Sequence, residues 1–423
     1  MSEDLLVISN GQVIGQVNLG PKKKLSFTYA DEWRDNPNAF PLSLSMPLAT
    51  AQHDHNVVEP FLWGLLPDND AVLRKWAAIF QVSARNAFAL LSHVGEDCAG
   101  AIQFIGTDWP EKEFQDNSID WLNENDIGDR LRDLKADHSA GRRTDDKGQF
   151  TLAGAQPKTA LIYQEGKWGI PSANTPTTHF LKPPTGDFDG FAENELFCMK
   201  LARRLDLPTA SADIVHFGNE IAHVTERYDR TYQGGYLIRV HQEDTCQALA
   251  ISPFVKYQNE GGPAVADIVS LLQDHSSEPD QDTDTFLKTF ALNWLIAGTD
   301  AHAKNYSLPL GAAGRVRLAP LYDLSSTLPY DALPMQKLKL AMKLGGEYRL
   351  RAITRRHWHK LEIELDLEDG YLVDLARGVA ASMPDHASDV QQRLEREKVR
   401  HAITDLLLER LIERSRKCEE ALT

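Results

Sequence analysis

Asp300, Asn305 and Asp323 are the residues of this chain whose types and spacing best suit chemistry. They lie in GTDAHAKNYSLPLGAAGRVRLAPLYDLSS, residues 298–326, with Asn305 five places after Asp300 and Asp323 at the end of an apolar run. Two carboxylates and an amide set out this way fit phosphoryl transfer. That reaction needs a carboxylate near the attacking hydroxyl, oxygen ligands for a metal, a cation on the phosphates and a cover over them. A polar loop with local side-chain bonds carries D-x-x-x-x-N equally well. Each remaining part therefore has to be found separately.

Protein-kinase catalytic loops space their Asp and Asn as Asp300 and Asn305 are spaced, after a His-Arg pair; here Gly298 and Thr299 stand in its place. Asp323 follows RVRLAPLY, which reads as a strand, so a hairpin from Asn305 could return it as a second metal ligand. A turn-forming Asp is the other reading. Lys182 shares a strand face with Thr178 and Phe180, so it needs a water exit or an anionic partner. Glu195 is the partner of choice. Its helical neighbours are Phe191, Ala192, Cys198 and Met199, and a carboxylate in that apolar stripe is costly unless paired. Glu193 is expected on a more polar flank. Both side chains reaching water is the alternative.

The cover would be TLAGAQPKTALIY, where Ala153, Gly154 and Ala155 allow close backbone approach. Lys158-Thr159 after a glycine imitates a Walker A loop. The G-x-x-x-x-G-K-[ST] spacing is absent, and TALIY reads as a strand where that loop needs a helix.

The elements that must position these residues follow from pattern. Residues 1–106 read as a small α+β domain: a hairpin in LLVISNGQVIGQVNL, a strand in KLSFTYA, a helix near Ala71–Phe80 capped by Asp68 or Asn69, more helix in AFALLSHV, and a strand in AGAIQF. Residues 107–148 are a polar connecting segment. A smaller lobe over 149–230 holds a hairpin turning at Glu165-Gly166, the lysine strand, the helix FAENELFCMKLARRLDL and a hairpin turning at Gly218-Asn219. Residues 231–423 are mainly helical. Pro263 opens one helix; another, residues 284–298, is capped by Gly298 and delivers the Asp300 loop. A C-terminal amphipathic helix covers REKVRHAITDLLLERLIERSRKCEE. The order of parts, more than any one of them, is kinase-like.

Bulk properties narrow the classes. The 423 residues carry a formal net charge of −16, which does not suit autonomous nucleic-acid binding. No apolar run spans a membrane, and the N-terminus has no secretory pattern. The four cysteines have no metal or disulfide spacing, and HDH (53–55) and HWH (357–359) read as surface histidines without zinc spacing. A cytoplasmic protein is expected.

The motifs LAGAQPKTALI, PTTHFLKPP, ENELFCMKLA, VTERYDR, QEDTCQAL, VKYQNEGGP, GTDAHAKNYS and LAPLYDLSS, with GQVIGQV, LWGLLPDN and GEDCAGAIQF before them, resemble the HipA family of serine/threonine kinase toxins over nearly the whole chain. The resemblance implies an α+β, bilobed protein-kinase-like fold with a helical C-terminal lobe, using ATP and Mg²⁺. It implies Asp300 as base, Asn305 and Asp323 as metal ligands, and Lys182, paired with Glu195, on the phosphates. The phosphate loop becomes Ala153, Gly154, Ala155, Gln156, Pro157 and Lys158, and the adenine hinge Glu226, Arg227 and Tyr228. Gln242, His302, Ala303, Lys304 and Tyr322 become further nucleotide contacts. Thr151 stands where the family has an autophosphorylated serine whose modification ejects the loop and silences the enzyme. The implied partners are a HipB-like DNA-binding antitoxin, through which DNA is contacted, and a protein substrate, an aminoacyl-tRNA synthetase of the glutamyl type. Two other readings stay open: a catalytically weak ATP-binding corepressor, and a small-molecule kinase using the same parts.

Overall fold

The computed structural model describes residues 4–107, 116–143, 146, 150–172, 174–186 and 188–423. Of the polar segment 107–148, residues 108–115, 144–145 and 147–148 lie outside the described residues. The chain divides into two compact units whose sequences interleave. Unit 1 takes residues up to 183, then 215–254 and 307–316; unit 2 takes 184–214, 255–306 and 317–423.

Unit 1 contains a five-stranded sheet of β1 (Asp4–Ser9), β2 (Gln12–Leu19), β3 (Leu25–Tyr29), β4 (Gln52–His53) and β5 (Ile102–Gly106), in the order β4-β3-β2-β1-β5. Asn10 and Gly11 both take positive φ between β1 and β2, the geometry that matches a tight hairpin turn to strand twist. Alternate residues Leu5 and Val7 of β1, with Phe27 of β3, enter a core closed by the helices His55–Gly64, Asp70–Phe80 and Ala87–Val94. The Asn69 side chain accepts from the amide of Ala71 at 2.9 Å and caps the second of these helices.

The larger sheet has six strands: β6 (Ile119–Leu122), β7 (Thr159–Gln164), β8 (Lys167–Pro171), β9 (His179–Lys182), β10 (Ala212–Phe217) and β11 (Glu220–Glu226), in the order β10-β11-β9-β7-β8-β6. The polar segment contributes β6 and the helix Glu124–Ala136, whose Ile127 and Leu131 join Leu161, Leu181 and Val224 in one core. Unit 1 also contains a short hairpin of β12 (Arg230–Gln233) and β13 (Tyr236–Arg239), and an antiparallel pair of β14 (Gln242–Asp244) with the sequence-distant β15 (Ser307–Pro309).

Unit 2 is mainly helical. The helices Phe191–Arg204, Pro279–Leu295, Tyr371–Arg396 and Ala402–Ala421 pack together, burying Phe286, Phe290, Trp294, Met383 and Leu407. A small hairpin of β16 (Lys339–Leu344) and β17 (Glu347–Arg349) lies against the helices Val265–His275 and Arg355–Glu364.

Several local expectations are corrected. RVRLAPLY is not a strand: only single bridges form, Leu310 with Val316 and Thr209 with Leu321. A short turn at Ala312–Gly314 and Pro320 interrupt a longer ladder. Pro263 precedes its helix, which runs Val265–His275 from an Ala264 cap. The C-terminal helix begins at Ala402, because Lys398 takes a left-handed φ of 62° and ends the preceding one. His53 and His357 are buried: the first lies in β4, and the second accepts from the Thr354 amide at 3.1 Å. Glu193 is as buried as Glu195, at 6% and 2% exposure. All four cysteines are buried free thiols.

Candidate active site

In unit 1, β9 ends in Lys182, which is 8% exposed and stands opposite His223 of β11. The Pro183-Pro184 pair ends that strand by removing donors. Glu226 closes β11 with its side chain exposed. Arg227, the next residue, is fully buried, and its guanidinium is committed. It meets Asp97 at 3.3 Å and Asp229 at 2.9 Å, donates to Thr177 Oγ1 and the Cys98 carbonyl, both at 2.8 Å, and lies 4.7 Å from the Phe180 ring centroid. Its side chain is thereby committed to internal partners, and only its backbone is left to meet a ligand. Arg230 and Arg239 join the same cluster, at 2.8 and 3.0 Å from Asp97. The Tyr228 hydroxyl donates to Gln242 Oε1, and Gln242 Nε2 reaches Asp229 at 3.5 Å. Burial, reinforced by Asp229, pushes the Tyr228 phenol far up, so it stays a donor.

The segment 151–158 is clasped by residues that follow the helix His55–Gly64. Thr151 is 0% exposed; its Oγ1 donates to the Leu65 carbonyl at 2.9 Å and its amide to the Asp97 carbonyl at 3.2 Å. Gly154 takes φ +100°, accepts from the Asp68 amide at 3.2 Å and bridges to Pro67. A Cβ there would sit 2.8 Å from Lys158 Nζ, which itself donates to the Ala153 carbonyl at 2.7 Å. Ala155 is exposed, Gln156 and Pro157 are half-buried, and these residues line a hollow together with Asn69, Trp76 and Arg142.

In unit 2, the helix Pro279–Leu295 delivers the Asp300 loop, but Gly298 is not its cap. Ile296 is, and Ala297 takes the left-handed φ of 52°. Gly298 is needed for proximity instead, because a Cβ there would lie 2.4 Å from Asn293 Oδ1. The Asp300 carbonyl accepts from the His302 amide at 2.8 Å and from Asn305 Nδ2 at 2.9 Å. Asn305 thus braces the loop through its nitrogen and keeps its oxygen as an acceptor. Ala303 and Lys304 are buried in the short turn between them. The Asp300 side chain is exposed and accepts from the hydroxyl of Tyr257, whose ring makes a T-shaped pair with His302 at 5.1 Å.

The Tyr322 hydroxyl donates to the Lys304 carbonyl at 2.9 Å, which sets the segment before Asp323 against the Asn305 turn. That segment is held on both sides. The Leu321 amide donates to Pro208 and its carbonyl accepts from Ala210, at 2.8 and 2.9 Å. Asn194 exchanges two hydrogen bonds with the Ser326 backbone, at 2.7 and 3.0 Å. Asp323 itself takes φ 53°, a conformation that a non-glycine residue holds only where its surroundings impose it. Asn305 and Asp323 offer the amide and carboxylate oxygens that a hard divalent cation such as Mg²⁺ binds.

Unit 1 therefore holds residues 151–158, Lys182, Glu226–Tyr228 and Gln242, while unit 2 holds Glu195, Asp300, His302–Asn305, Tyr322 and Asp323. Sequence reading missed Tyr257, although it stands in the quoted VKYQNEGGP, and it missed the Asp97–arginine cluster and the Leu65–Asp68 clasp. The charge run ERYDR was the one visible signal for the cluster.

Among the described residues, no helix is long and apolar enough to cross a membrane. A family model of the HipA-like C-terminal domain matches residues 150–393, and one of the HipA N-terminal domain matches 5–105. Y4mE of Sinorhizobium fredii, which carries a kinase name, is 35% identical over 358 residues, 82% of each chain. The serine/threonine-protein kinase toxin HipA of Shewanella oneidensis is 30% identical over 386 residues, 86% of this chain and 83% of that one. A solved complex of the Shewanella oneidensis MR-1 HipA, HipB and operator DNA superposes with a TM-score of 0.83 at 25% identity, covering 99% of this chain and 98% of the matched one. The chain belongs to the HipA family of serine/threonine kinase toxins, and its α+β, protein-kinase-like fold is the fold of that family.

Proposed function

We propose that this protein is an ATP-dependent serine/threonine protein kinase and the toxin of a toxin–antitoxin pair. The observation that carries the reading is the Tyr322–Lys304 hydrogen bond, which sets the Asp323 segment beside the loop of Asp300 and Asn305. In the reaction, Asp300 takes the proton of an acceptor serine or threonine hydroxyl. The acceptor oxygen bonds to the γ-phosphorus, the bond to the bridging oxygen breaks, and ADP leaves. Asn305 and Asp323 would hold Mg²⁺, which would neutralise phosphate charge when bound. Lys182, oriented by Glu195, sits on the phosphates. Ala153 to Lys158 cover them, the backbone from Glu226 to Tyr228 meets the adenine, and Gln242, His302, Ala303, Lys304 and Tyr322 line the nucleotide.

Thr151 is the self-phosphorylation position, and its modification releases the loop and silences the enzyme. The substrate is an aminoacyl-tRNA synthetase of the glutamyl type, whose phosphorylation halts translation in the cytoplasm and leaves cells growth-arrested and persistent. The partner is a DNA-binding antitoxin like HipB, which carries the pair to an operator; the Shewanella complex, containing both proteins and DNA, supports this. The test incubates the protein with Mg²⁺, labelled ATP and purified glutamyl-tRNA synthetase, using the Lys182→Ala variant as control. Label on the synthetase, lost in the variant, is the expected result. Equal labelling by both chains would remove Lys182 from the site, and an unlabelled synthetase would remove it as substrate.

A further inference from the structure

The Asp300 carboxylate has one hydrogen-bond partner among the described residues, and that partner is a side-chain hydroxyl: Tyr257 OH on Oδ1. An acceptor serine or threonine must present its own hydroxyl to this carboxylate for the proton to leave. The tyrosine and an acceptor that approaches Oδ1 are thus donors of the same kind competing for the same carboxylate oxygen.

The position of Tyr257 is set by its backbone. Its carbonyl accepts from the amides of Glu260 and Gly262, at 2.9 and 3.0 Å, which closes the loop 257–262 on itself. The next side chain, Gln258, accepts from the Lys343 amide at 2.6 Å and ties the loop to β16. The Tyr257 ring also makes a T-shaped contact with His302, within the same loop as Asp300. A ring held this way returns its hydroxyl to Asp300 whenever the carboxylate has no other donor. Neutral phenol to carboxylate is a charge-assisted bond, stronger than one between neutral groups.

We propose that Tyr257 is a specificity-determining residue that occupies the acceptor-hydroxyl position on Asp300 and must be displaced by a substrate. The proposal rests on the reading of Asp300 as the base. The displaced phenol keeps its proton, so the reaction balances as before, with the acceptor proton passing to Asp300. The device disfavours water and poorly docked hydroxyls, because only an acceptor held by further contacts outcompetes a tethered one.

The test is the Tyr257→Phe variant, which keeps the ring and its His302 contact and removes the donor. Two acceptors are used: water, read as ATP hydrolysis, and a degenerate serine/threonine peptide mixture. The expected result is faster ATP hydrolysis and a KM for the peptide mixture lower by roughly three- to tenfold, the range set by loss of one competing hydrogen bond. The kcat for the mixture stays within about twofold. A fall in kcat at unchanged KM overturns the proposal, because it makes the tyrosine a support of the base. No gain with either acceptor also overturns it. The Asp300→Asn variant separates the two readings: if it hydrolyses ATP at the wild-type rate, the assignment of the base fails. If it is inactive while Tyr257→Phe gains nothing, only the assignment of Tyr257 fails.

Discussion

The hydroxyl of Thr151 donates to the main-chain carbonyl of Leu65 at 2.9 Å, across 86 residues of sequence and with Thr151 wholly buried. A segment of the N-terminal sequence therefore holds the start of the segment proposed as the phosphate loop. A phosphate of charge near −2 has no room at a position without solvent access, so phosphorylation and this loop position exclude one another.

Replacing Thr151 by Ala removes one buried hydrogen bond and should cost about 1 kcal/mol of stability, with ATP binding retained. Replacing it by Glu should drive the loop from its seat and weaken ATP binding by on the order of tenfold, or 1.4 kcal/mol. Thermal melting and nucleotide titration of the two variants check this. Equal affinity for ATP in both would show that the seat of Thr151 does not govern the loop.

Asp97 is expected to be the costliest surface-remote carboxylate to lose. Burial alone would push its carboxyl up, but Arg230, Arg227 and Arg239 outweigh burial and hold it well below the usual carboxylate range. Asp97→Asn leaves three buried guanidinium groups short of a charge and should cost roughly 3–5 kcal/mol. Because the folded value lies below the unfolded one, the stability Asp97 adds is complete above about pH 4 and is lost as pH falls below it. Denaturant unfolding between neutral and acidic pH should show the variant with a shallower acid loss than the wild type. An unchanged midpoint at neutral pH would contradict the structural weight given to this cluster.

Glu243 should show the opposite pH dependence. Burial pushes its carboxyl up to about 8, although the Ser43 hydroxyl and the Leu44 amide act to lower it. The folded chain holds a proton that the unfolded chain releases near its ordinary value of 4.5. Stability from this group therefore falls as pH rises from about 4.5 to 8, by at most about 1.4 kcal/mol per unit. Glu243→Gln preserves an acceptor for the Leu44 amide, now 2.7 Å away, and removes the titration. Its unfolding free energy relative to wild type should rise across that window; a constant difference would show that Glu243 titrates normally.

Much of this was legible from sequence because it is local. The Glu165-Gly166 turn, the Asn69 cap and the helix Phe191–Arg204 each depend on neighbours a few residues away. What was not legible depends on distance along the chain. Asp97 meets arginines at 227, 230 and 239, and no period or spacing links GEDCAGAIQF to VTERYDR. Gly298 looked like a helix cap because glycine commonly is one, whereas Ala297 bears the left-handed turn and Gly298 yields space to Asn293. The LAPLY run read as a strand by composition, yet among the described residues Leu321 finds only the Pro208 carbonyl and Ala210 amide as backbone partners. Tyr257 was hidden for the same reason: its contact with Asp300 spans 43 residues.

The most direct measurement of the central claim compares the wild type with Asp300→Asn for Mg²⁺-dependent ATP binding and for phosphate transfer, with the modified residue located by mass spectrometry. The account predicts similar nucleotide affinity in both chains, transfer by the wild type with phosphate at Thr151, and a loss of transfer of at least about a hundredfold in the variant. Transfer by the Asp300→Asn chain at the wild-type rate would contradict it.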